Sequence, residues 1–129
     1  MPGQDGRRQP GPHRLPRAAR ISRGAEIRSM LREGARQRTR LVDLYWRRSV
    51  EPLPRMGLVV PKLGYRIVDR NRIKRRVREI GRSKLLPRLR QHGPELDILI
   101  RIRRPAYRAA YSELELAILE GVEAACSDT

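Results

Sequence analysis

A strongly basic segment near the middle of the chain contains the residue types that bind phosphate. Between Asp69 and Arg82, seven of the fourteen residues are Arg or Lys and two are acidic. A guanidinium group can bind phosphate through two parallel hydrogen bonds, and it also stacks on nucleobases. The chemistry that this segment indicates is the binding of a polyanion such as RNA or DNA.

The apolar residues within the segment predict a helix with one buried edge. Ile73, Val77 and Ile80 are four and three residues apart, which places them on one face of an α-helix. Every fourth residue from Arg70 to Arg78 is basic and lies on a neighbouring face. Each pair of like charges at this spacing destabilises the helix by a few tenths of a kcal/mol. Phosphates bound along the row would offset that repulsion, because neutralising them releases counterions. The alternative is a solvated charged helix, although such helices usually mix the two signs.

The composition of the whole chain agrees with a nucleic-acid partner. The 129 residues carry a formal net charge of +16, and all but three of the 30 basic residues are Arg. Such a charge destabilises a compact monomer unless a polyanion neutralises it. No Lys or Arg follows Arg108, whereas five acidic residues do. The C-terminal end is therefore acidic, and we expect a polyanion to be held on one side only.

Other classes of site and location have little support in the sequence. The single Cys126 excludes an internal disulfide framework. His13, His92 and Cys126 do not have metal-ligand spacing, so we assign no metal site and no cofactor held by the protein. No apolar run approaches the ~18 residues of a membrane span, and the N-terminus has no apolar signal segment. We therefore expect a cytoplasmic protein with no membrane partner.

The candidates for a protein-based nuclease are three aspartates, Asp43, Asp69 and Asp97. A two-metal nuclease needs several carboxylates that converge on ions about 4 Å apart. Asp69 precedes the basic helix and can favour its N-terminus, and Asp97 begins a predicted strand, where a turn or ion-pair role is expected. Since no nucleophile with a base is evident either, we assign no catalytic residue to the chain.

The elements that must position the basic helix can be predicted from periodicity and turn residues. The Pro- and Gly-rich residues 1–19 predict a disordered basic arm, residues 20–125 a single domain and residues 126–129 a tail. Ser22 and Gly34 mark the ends of a short first helix, and Ser112 with Glu115 predicts a capping box before the last helix. Pro87 is expected to end the basic helix. The predicted strands are 41–48, 55–60, 67–68 and 95–103.

The basic helix resembles the signature of the bacterial ribonuclease P protein component. The segment RNRIKRRVRE, residues 70–79, matches the family pattern RNRxKRxxRE. Upstream, RMGLVVPK resembles the family's R-x-G strand. Downstream, DILIRIRRPA resembles the family's strand that precedes a turn with a basic residue and Pro, and YSELELAIL resembles its closing helix. The resemblance covers about residues 20 to 122 and leaves the Pro-rich arm outside.

The resemblance implies a fold and a function. The fold would be α+β, an α/β two-layer sandwich with the order α-β-β-β-α-β-α, in which the signature helix crosses between two parallel strands in a left-handed sense. The protein would join one catalytic RNA and assist it in removing the 5′ leader from precursor tRNA. That RNA would hold the Mg²⁺ and perform the hydrolysis. The partners would be the catalytic RNA, with one protein per RNA, and the precursor tRNA with its 5′ leader.

Two groups of site residues follow from the resemblance and the charge pattern. The residues expected to bind RNA are Arg70, Asn71, Arg72, Lys74, Arg75, Arg78, Arg82, Lys62, Arg66 and Arg40. Those expected to line a cleft for the leader, between the first helix and the sheet, are Ile27, Leu31, Tyr45 and Arg101. The family usually places two Phe in this cleft, at positions that correspond to Ile27 and Leu31.

Three other functions remain open at this point. A structural RNA-binding protein of ribosomal type would share the charge and the fold class. A stand-alone nuclease would cleave RNA without a partner, using the three aspartates. A DNA-binding helix module would prefer a duplex to single-stranded RNA.

Overall fold

The computed structural model describes residues 15–92 and 95–128. The helices and strands are β1 (Arg20–Ile21), α1 (Gly24–Glu33), β2 (Ala35–Arg38), β3 (Val42–Arg48), β4 (Arg55–Val59), α2 (Ile67–Ile80), α3 (Leu86–His92), β5 (Leu96–Ile102) and α4 (Tyr111–Asp128). Short 3₁₀ turns occupy Arg17–Ala19 and Arg104–Arg108, and a π-helical turn, Gly81–Leu85, joins α2 to α3.

The five strands form one mixed sheet in the order β1-β4-β5-β3-β2. The central strand β5 is buried on both faces apart from Arg101, which explains its run of branched apolar residues. It pairs parallel with β4 and antiparallel with β3, so α2 connects two neighbouring parallel strands. The expected α+β class is confirmed, whereas the left-handed sense of this crossover remains a prediction.

Helices cover both faces of the sheet. On one face, the buried residues of α2, α3 and α4 form the main core with alternate residues of the strands, including Leu44, Ile98 and Ile100. On the other face, α1 packs over a smaller cluster that contains Met30 and Tyr45. The basic helix and the first helix therefore lie on opposite faces.

Two predictions about strands are wrong, although the number of strands between the first helix and the basic helix is correct. Ile67 and Val68 begin α2 instead of forming a strand, and they are 66% and 53% exposed. Two strands of the structure were not predicted: β1, which pairs parallel with β4, and β2, whose four residues ARQR pair antiparallel with β3 at the sheet edge. An exposed edge strand is held mainly by backbone hydrogen bonds, so its side chains can be polar.

Several predicted boundaries are also corrected. The arm lies outside the described residues as far as position 14, but Leu15 and Ala19 are buried in the main core. Residues 126–128 of the predicted tail form the last turn of α4, in which Cys126 is buried. Pro87 does not end the helical segment, because the π-helical turn before it widens the backbone where its ring would otherwise clash.

The predicted caps differ from those in the structure. Helix α1 begins after Arg23 without a side-chain cap, so Ser22 does not fill that role, whereas Gly34 does follow its last residue. At α4, the backbone N–H of Ala110 donates to the Glu113 carboxylate at 2.8 Å. Glu113 therefore provides the cap that was assigned to Ser112 and Glu115. Among the described residues, no helix is both long and apolar enough to cross a membrane.

Candidate nucleic-acid interface

Helix α2 is fixed to the sheet by one apolar edge. Ile73, Val77 and Ile80 are at most 3% exposed and belong to the main core. The helix follows a tight turn in which Leu63 and Gly64 have positive φ angles of 46° and 81°, a conformation that Gly adopts without strain. Its first turn contains Asp69, whose negative charge favours the helix N-terminus. The sequence prediction of a helix with a buried edge is confirmed.

One flank of α2 carries a row of cations that no carboxylate of the described residues binds. At 100° per residue, Arg70, Lys74 and Arg78 lie side by side, next to the buried edge. Within the described residues none of the three forms an ion pair; the Arg70 side chain donates only a long hydrogen bond, 3.4 Å, to the carbonyl oxygen of Tyr65. Asn71 is exposed beside this row. The row is open to an anionic partner.

The remaining basic residues of α2 extend this surface around the helix. Arg75 is exposed on the outermost side, and Arg72 and Arg76 lie on the flank opposite the row. A cavity of about 630 Å³ is lined by Arg75, Arg76 and Arg78 together with Tyr111 of α4. A smaller cavity, about 240 Å³, lies between Arg72, Arg76 and the 3₁₀ turn that follows β5. Both flanks of α2 therefore border concave basic surface.

Three of the other predicted RNA-binding residues are already ion-paired. Arg82 donates two hydrogen bonds to Glu79, at 2.6 and 3.2 Å, and this pairing raises the pKa of the Arg82 guanidinium. Arg66 lies 3.4 Å from the Asp69 carboxylate. Arg40 lies 3.8 Å from Glu113, and both side chains are more than half exposed. Lys62 is exposed in the turn before α2. The positive charge of the three ion-paired arginines is therefore partly neutralised by carboxylates of the protein.

The predicted cleft residues lie on the α1 face of the sheet. Ile27 and Leu31 are half-buried and pack against the small cluster of Tyr45, Met30 and Leu99. The Tyr45 ring is covered by α1, because Tyr45 is 3% exposed. Arg101 is exposed, and its position two residues after Leu99 in β5 places it on the same face. The structure brings three of the four residues into contact and places Arg101 one row further along the sheet.

Next to the covered part of this face, the sheet opens into a groove of about 550 Å³. Its lining includes Arg38, Arg101, Arg103 and Arg104, with Asp43 as the acidic member. Arg38 comes from β2, so it could not be assigned to this face while that strand was unrecognised. The pairing of Arg38 with Asp43 across the sheet, with 3.4 Å between side-chain atoms, places it there. The groove joins the cleft face to the turn before α2.

The three aspartates do not converge. Asp43 pairs opposite Arg101, four residues along β5 from Asp97, which separates the two carboxylates by about 13 Å of strand. Asp97 is 1% exposed and accepts two hydrogen bonds from Arg55, at 2.8 and 3.1 Å. Asp69 belongs to the opposite face, in α2. Among the described residues, no group of three His, Cys, Asp or Glu side chains could hold a metal ion.

Arg55 connects α1 to the sheet through the same ion pair. Its guanidinium also lies 3.0 Å from Glu26 of α1, and the hydrogen bond with Asp97 is the main reason that its pKa is raised. Ser29 of α1 in turn accepts a hydrogen bond from Arg47 at 2.8 Å. These contacts hold α1 over the sheet at one end of the cleft face. The ion-pair role predicted for Asp97 is confirmed.

Comparisons with known proteins agree with this arrangement. A family model described as Ribonuclease P matches residues 15–125. A Ribonuclease P protein component from Kocuria rhizophila is 33% identical over 100 residues, covering 78% of this chain and 85% of that protein. One from Xylella fastidiosa is 34% identical over 110 residues, covering 82% and 75%.

Solved structures have a similar fold. The RNase P protein of Staphylococcus aureus superposes with a TM-score of 0.70 at 24% identity, covering 84% of this chain and 96% of that chain. The Thermotoga maritima RNase P protein gives a TM-score of 0.65 at 22% identity, covering 78% and 92%. The similarity extends over most of the described residues.

Proposed function

This chain belongs to the ribonuclease P protein family, and we propose that it binds both the catalytic RNA of ribonuclease P and the 5′ leader of precursor tRNA. The observation that carries the proposal is the row of Arg70, Lys74 and Arg78, which is fixed by a buried helix edge and unpaired within the described residues. Such a row costs free energy in the isolated protein. When the row binds RNA phosphates, the repulsion among its cations is relieved, and the counterions released from the RNA favour binding.

The basic surface of α2 serves the catalytic RNA in this proposal. It is convex along the helix and continues into cavities on both flanks, so it can contact more than one stretch of RNA backbone. Arg72, Arg75 and Asn71 add donors to the same surface. Arg40, Arg66 and Arg82 make weaker contributions, because part of their charge is already neutralised by carboxylates. Lys62 extends the surface at the turn.

The leader follows the α1 face of the sheet in the same proposal. Arg101 and the arginines of the neighbouring groove supply phosphate contacts. Ile27 and Leu31 supply apolar contact at the edge of α1. Tyr45 supports these two residues from below, and its ring presents little surface to a base unless α1 moves.

We assign the hydrolysis to the RNA partner, which would also hold the Mg²⁺. The support from this chain is that its three candidate aspartates are dispersed and that Asp97 is committed to Arg55. The acidic residues of α4, on the same face of the sheet as α2, repel RNA from that part of the surface, and we propose one protein per catalytic RNA.

Reconstitution with the catalytic RNA of ribonuclease P tests the proposal. Cleavage of precursor tRNA is measured as a function of Mg²⁺ concentration, with and without the protein and with and without a 5′ leader of several nucleotides. The protein should lower the Mg²⁺ requirement and improve cleavage, and the improvement should be larger for the substrate that carries the leader.

Other results would favour the other functions. Binding to the catalytic RNA with no effect on cleavage would indicate a purely structural RNA-binding protein. Mg²⁺-dependent cleavage by the chain alone, lost on changing Asp43, Asp69 or Asp97 in a variant that still folds, would indicate a nuclease. Equal improvement with and without a leader would refute the leader site while leaving the contact with the catalytic RNA in place.

A further inference from the structure

The few aromatic side chains of this protein limit where a nucleobase can stack. The chain has four Tyr, one Trp and no Phe. Tyr45 and Trp46 are 3% and 6% exposed, so neither presents a ring face to a ligand. The cleft positions that the family fills with Phe are Ile27 and Leu31, which are aliphatic. Of the tyrosines and the tryptophan, only Tyr65, Tyr107 and Tyr111 are therefore left to stack on an RNA base.

Two of these tyrosines form a platform at the start of α2. Tyr65, in the turn before the helix, stacks on Tyr107 of the following 3₁₀ turn, with 3.7 Å between ring centroids and 8° between ring planes. The guanidinium of Arg104 lies over the Tyr65 ring, 5.8 Å from its centroid, within the range of a cation–π contact. Both tyrosines are half-buried, so the stack is not sealed from solvent.

The platform borders a cavity whose chemistry suits one nucleotide. The cavity, about 240 Å³, is lined by both tyrosines and by Arg72, Arg76 and Arg108. It is smaller than the roughly 300–1,000 Å³ of pockets for drug-sized ligands. The three arginines can bind flanking phosphates, and within the described residues none of them is ion-paired. The Asp69 carboxylate also lines the cavity and offers an acceptor to an N–H group of a base.

We propose that this cavity binds one unpaired nucleotide of RNA, with its base stacked on the open outer face of the Tyr65–Tyr107 pair and its phosphates held by the arginines. The inference rests on the proposed function, which supplies the RNA, and it adds a base-stacking site beside Arg72 and Arg76, at the end of α2 where Arg70 also contacts Tyr65. Tyr111 is less suited to this role. Among the described residues it stacks on no other ring, and it begins the acidic helix α4.

The test compares the affinity of the full protein for two RNAs, the catalytic RNA and a single-stranded leader oligonucleotide. Tyr65→Leu should weaken binding of the RNA that supplies the nucleotide by about five- to a hundredfold, the usual range for loss of one stacked base. The dependence of affinity on salt should not change, because no phosphate contact is removed. Tyr65→Phe should bind nearly as well as the unchanged protein. The RNA that is affected identifies the source of the nucleotide.

Arg72→Ala and Tyr111→Leu complete the comparison. Arg72→Ala should reduce the slope of log affinity against log salt by about one, and Tyr111→Leu should have a smaller effect on affinity than Tyr65→Leu. Wild-type affinity of Tyr65→Leu for both RNAs would overturn the inference, as would a larger loss in Tyr111→Leu. Since the unchanged protein would still bind RNA in these cases, the proposed function would survive them.

A measurement on the unchanged protein tests the site even if Tyr65→Leu fails to fold. Ultraviolet cross-linking of the reconstituted complex, followed by mass spectrometry of the RNA-linked peptides, should place a cross-link on Tyr65 or Tyr107. Cross-links confined to other aromatic residues would overturn the inference whatever the variants do.

Discussion

The cations of α2 differ in whether a carboxylate already holds them. Arg82 is bound by Glu79 through two hydrogen bonds, whereas Lys74 and Arg78 form no ion pair within the described residues. All three belong to the same run of charges in the sequence, so the sequence alone could not rank them. In the structure, Lys74 and Arg78 are better candidates for binding RNA than Arg82. A phosphate is attracted less strongly to a cation whose charge is already partly neutralised by a carboxylate.

Replacing Lys74 or Arg78 by Ala should weaken binding to the catalytic RNA and lower its salt dependence. Each removed phosphate contact should reduce the slope of log affinity against log salt by about one. The slope is measured by filter binding at several NaCl concentrations. Arg88→Ala serves as the matched control, because Arg88 is bound by Glu123 beside α4 and should not contact RNA. Unchanged slopes in both α2 variants would contradict the phosphate assignment.

Tyr45 shows what a pattern of residues can and cannot predict about a site. Its alternation with Trp46 correctly places the two rings on opposite faces of β3, one under α1 and the other in the main core. The sequence could not indicate how closely α1 covers Tyr45, because that depends on how α1 packs. Its role as a leader-cleft residue remains a prediction, and a stacked base would need α1 to shift.

Introducing Phe at both Ile27 and Leu31 should strengthen leader binding. The two side chains are half-buried at the edge of α1, and flat rings there would add stacking to what is now only apolar contact. We expect an increase of about fivefold or more in affinity for precursor tRNA in the reconstituted complex, and no increase for mature tRNA. An equal change for both RNAs would argue against a leader cleft at α1, provided that the unfolding midpoint of the variant is unchanged.

At the scale of the elements, strand β4 shows why the R-x-G pattern occurs where it does. Arg55 is the centre of an ion-pair network that joins Asp97 in β5 to Glu26 in α1. Gly57 lies where a Cβ would come within 3.1 Å of the backbone oxygen of Ile21 and closer still to the Leu99 side chain. Both residues thus serve the packing of α1 and β1 against the sheet, and the cleft face depends on them.

Replacing Asp97 by Asn should destabilise the protein by about 3 kcal/mol or more. The change leaves Arg55, whose side chain is 10% exposed, without its main anionic partner, and loss of one partner of a buried ion pair typically costs 3–5 kcal/mol. Urea unfolding at neutral pH measures the effect. Glu123→Gln, which removes an exposed carboxylate from Arg88, should change the midpoint little. A small effect of Asp97→Asn would mean that Glu26 alone satisfies Arg55.

The elements themselves were predictable where they bury a regular apolar face. The alternation in β5 and the stripe of Ile73, Val77 and Ile80 each predicted an element that the structure confirms. The errors fall where side chains are exposed. Ile67 and Val68 favour a strand by type, but they occupy the solvent side of a helix start, and tertiary context overrides propensity there. Strand β2 has no apolar pattern and could be recognised only from its pairing with β3.

Across the whole molecule, charge is distributed by face. Five of the acidic residues follow Arg108, and α4 lies against the main core on the same side of the sheet as α2. The basic helix α2 thus lies beside an acidic helix. RNA that approaches this side is drawn to α2 and repelled by α4, which gives it a preferred orientation. The cleft face, across the sheet, has its own arginines in the groove beside Arg101.

The net charge of +16 should make the free protein more stable as salt is added. Repulsion among exposed cations is strong at low ionic strength and is screened as the Debye length falls, from about 30 Å at 0.01 M to about 10 Å at 0.1 M salt. Thermal unfolding should therefore shift to higher temperature over this range of NaCl. A variant with both Lys74→Ala and Arg78→Ala should shift less, because two of the repelling charges are gone. A midpoint that stays constant or falls with salt would show that exposed ion pairs, which salt weakens, outweigh the repulsion.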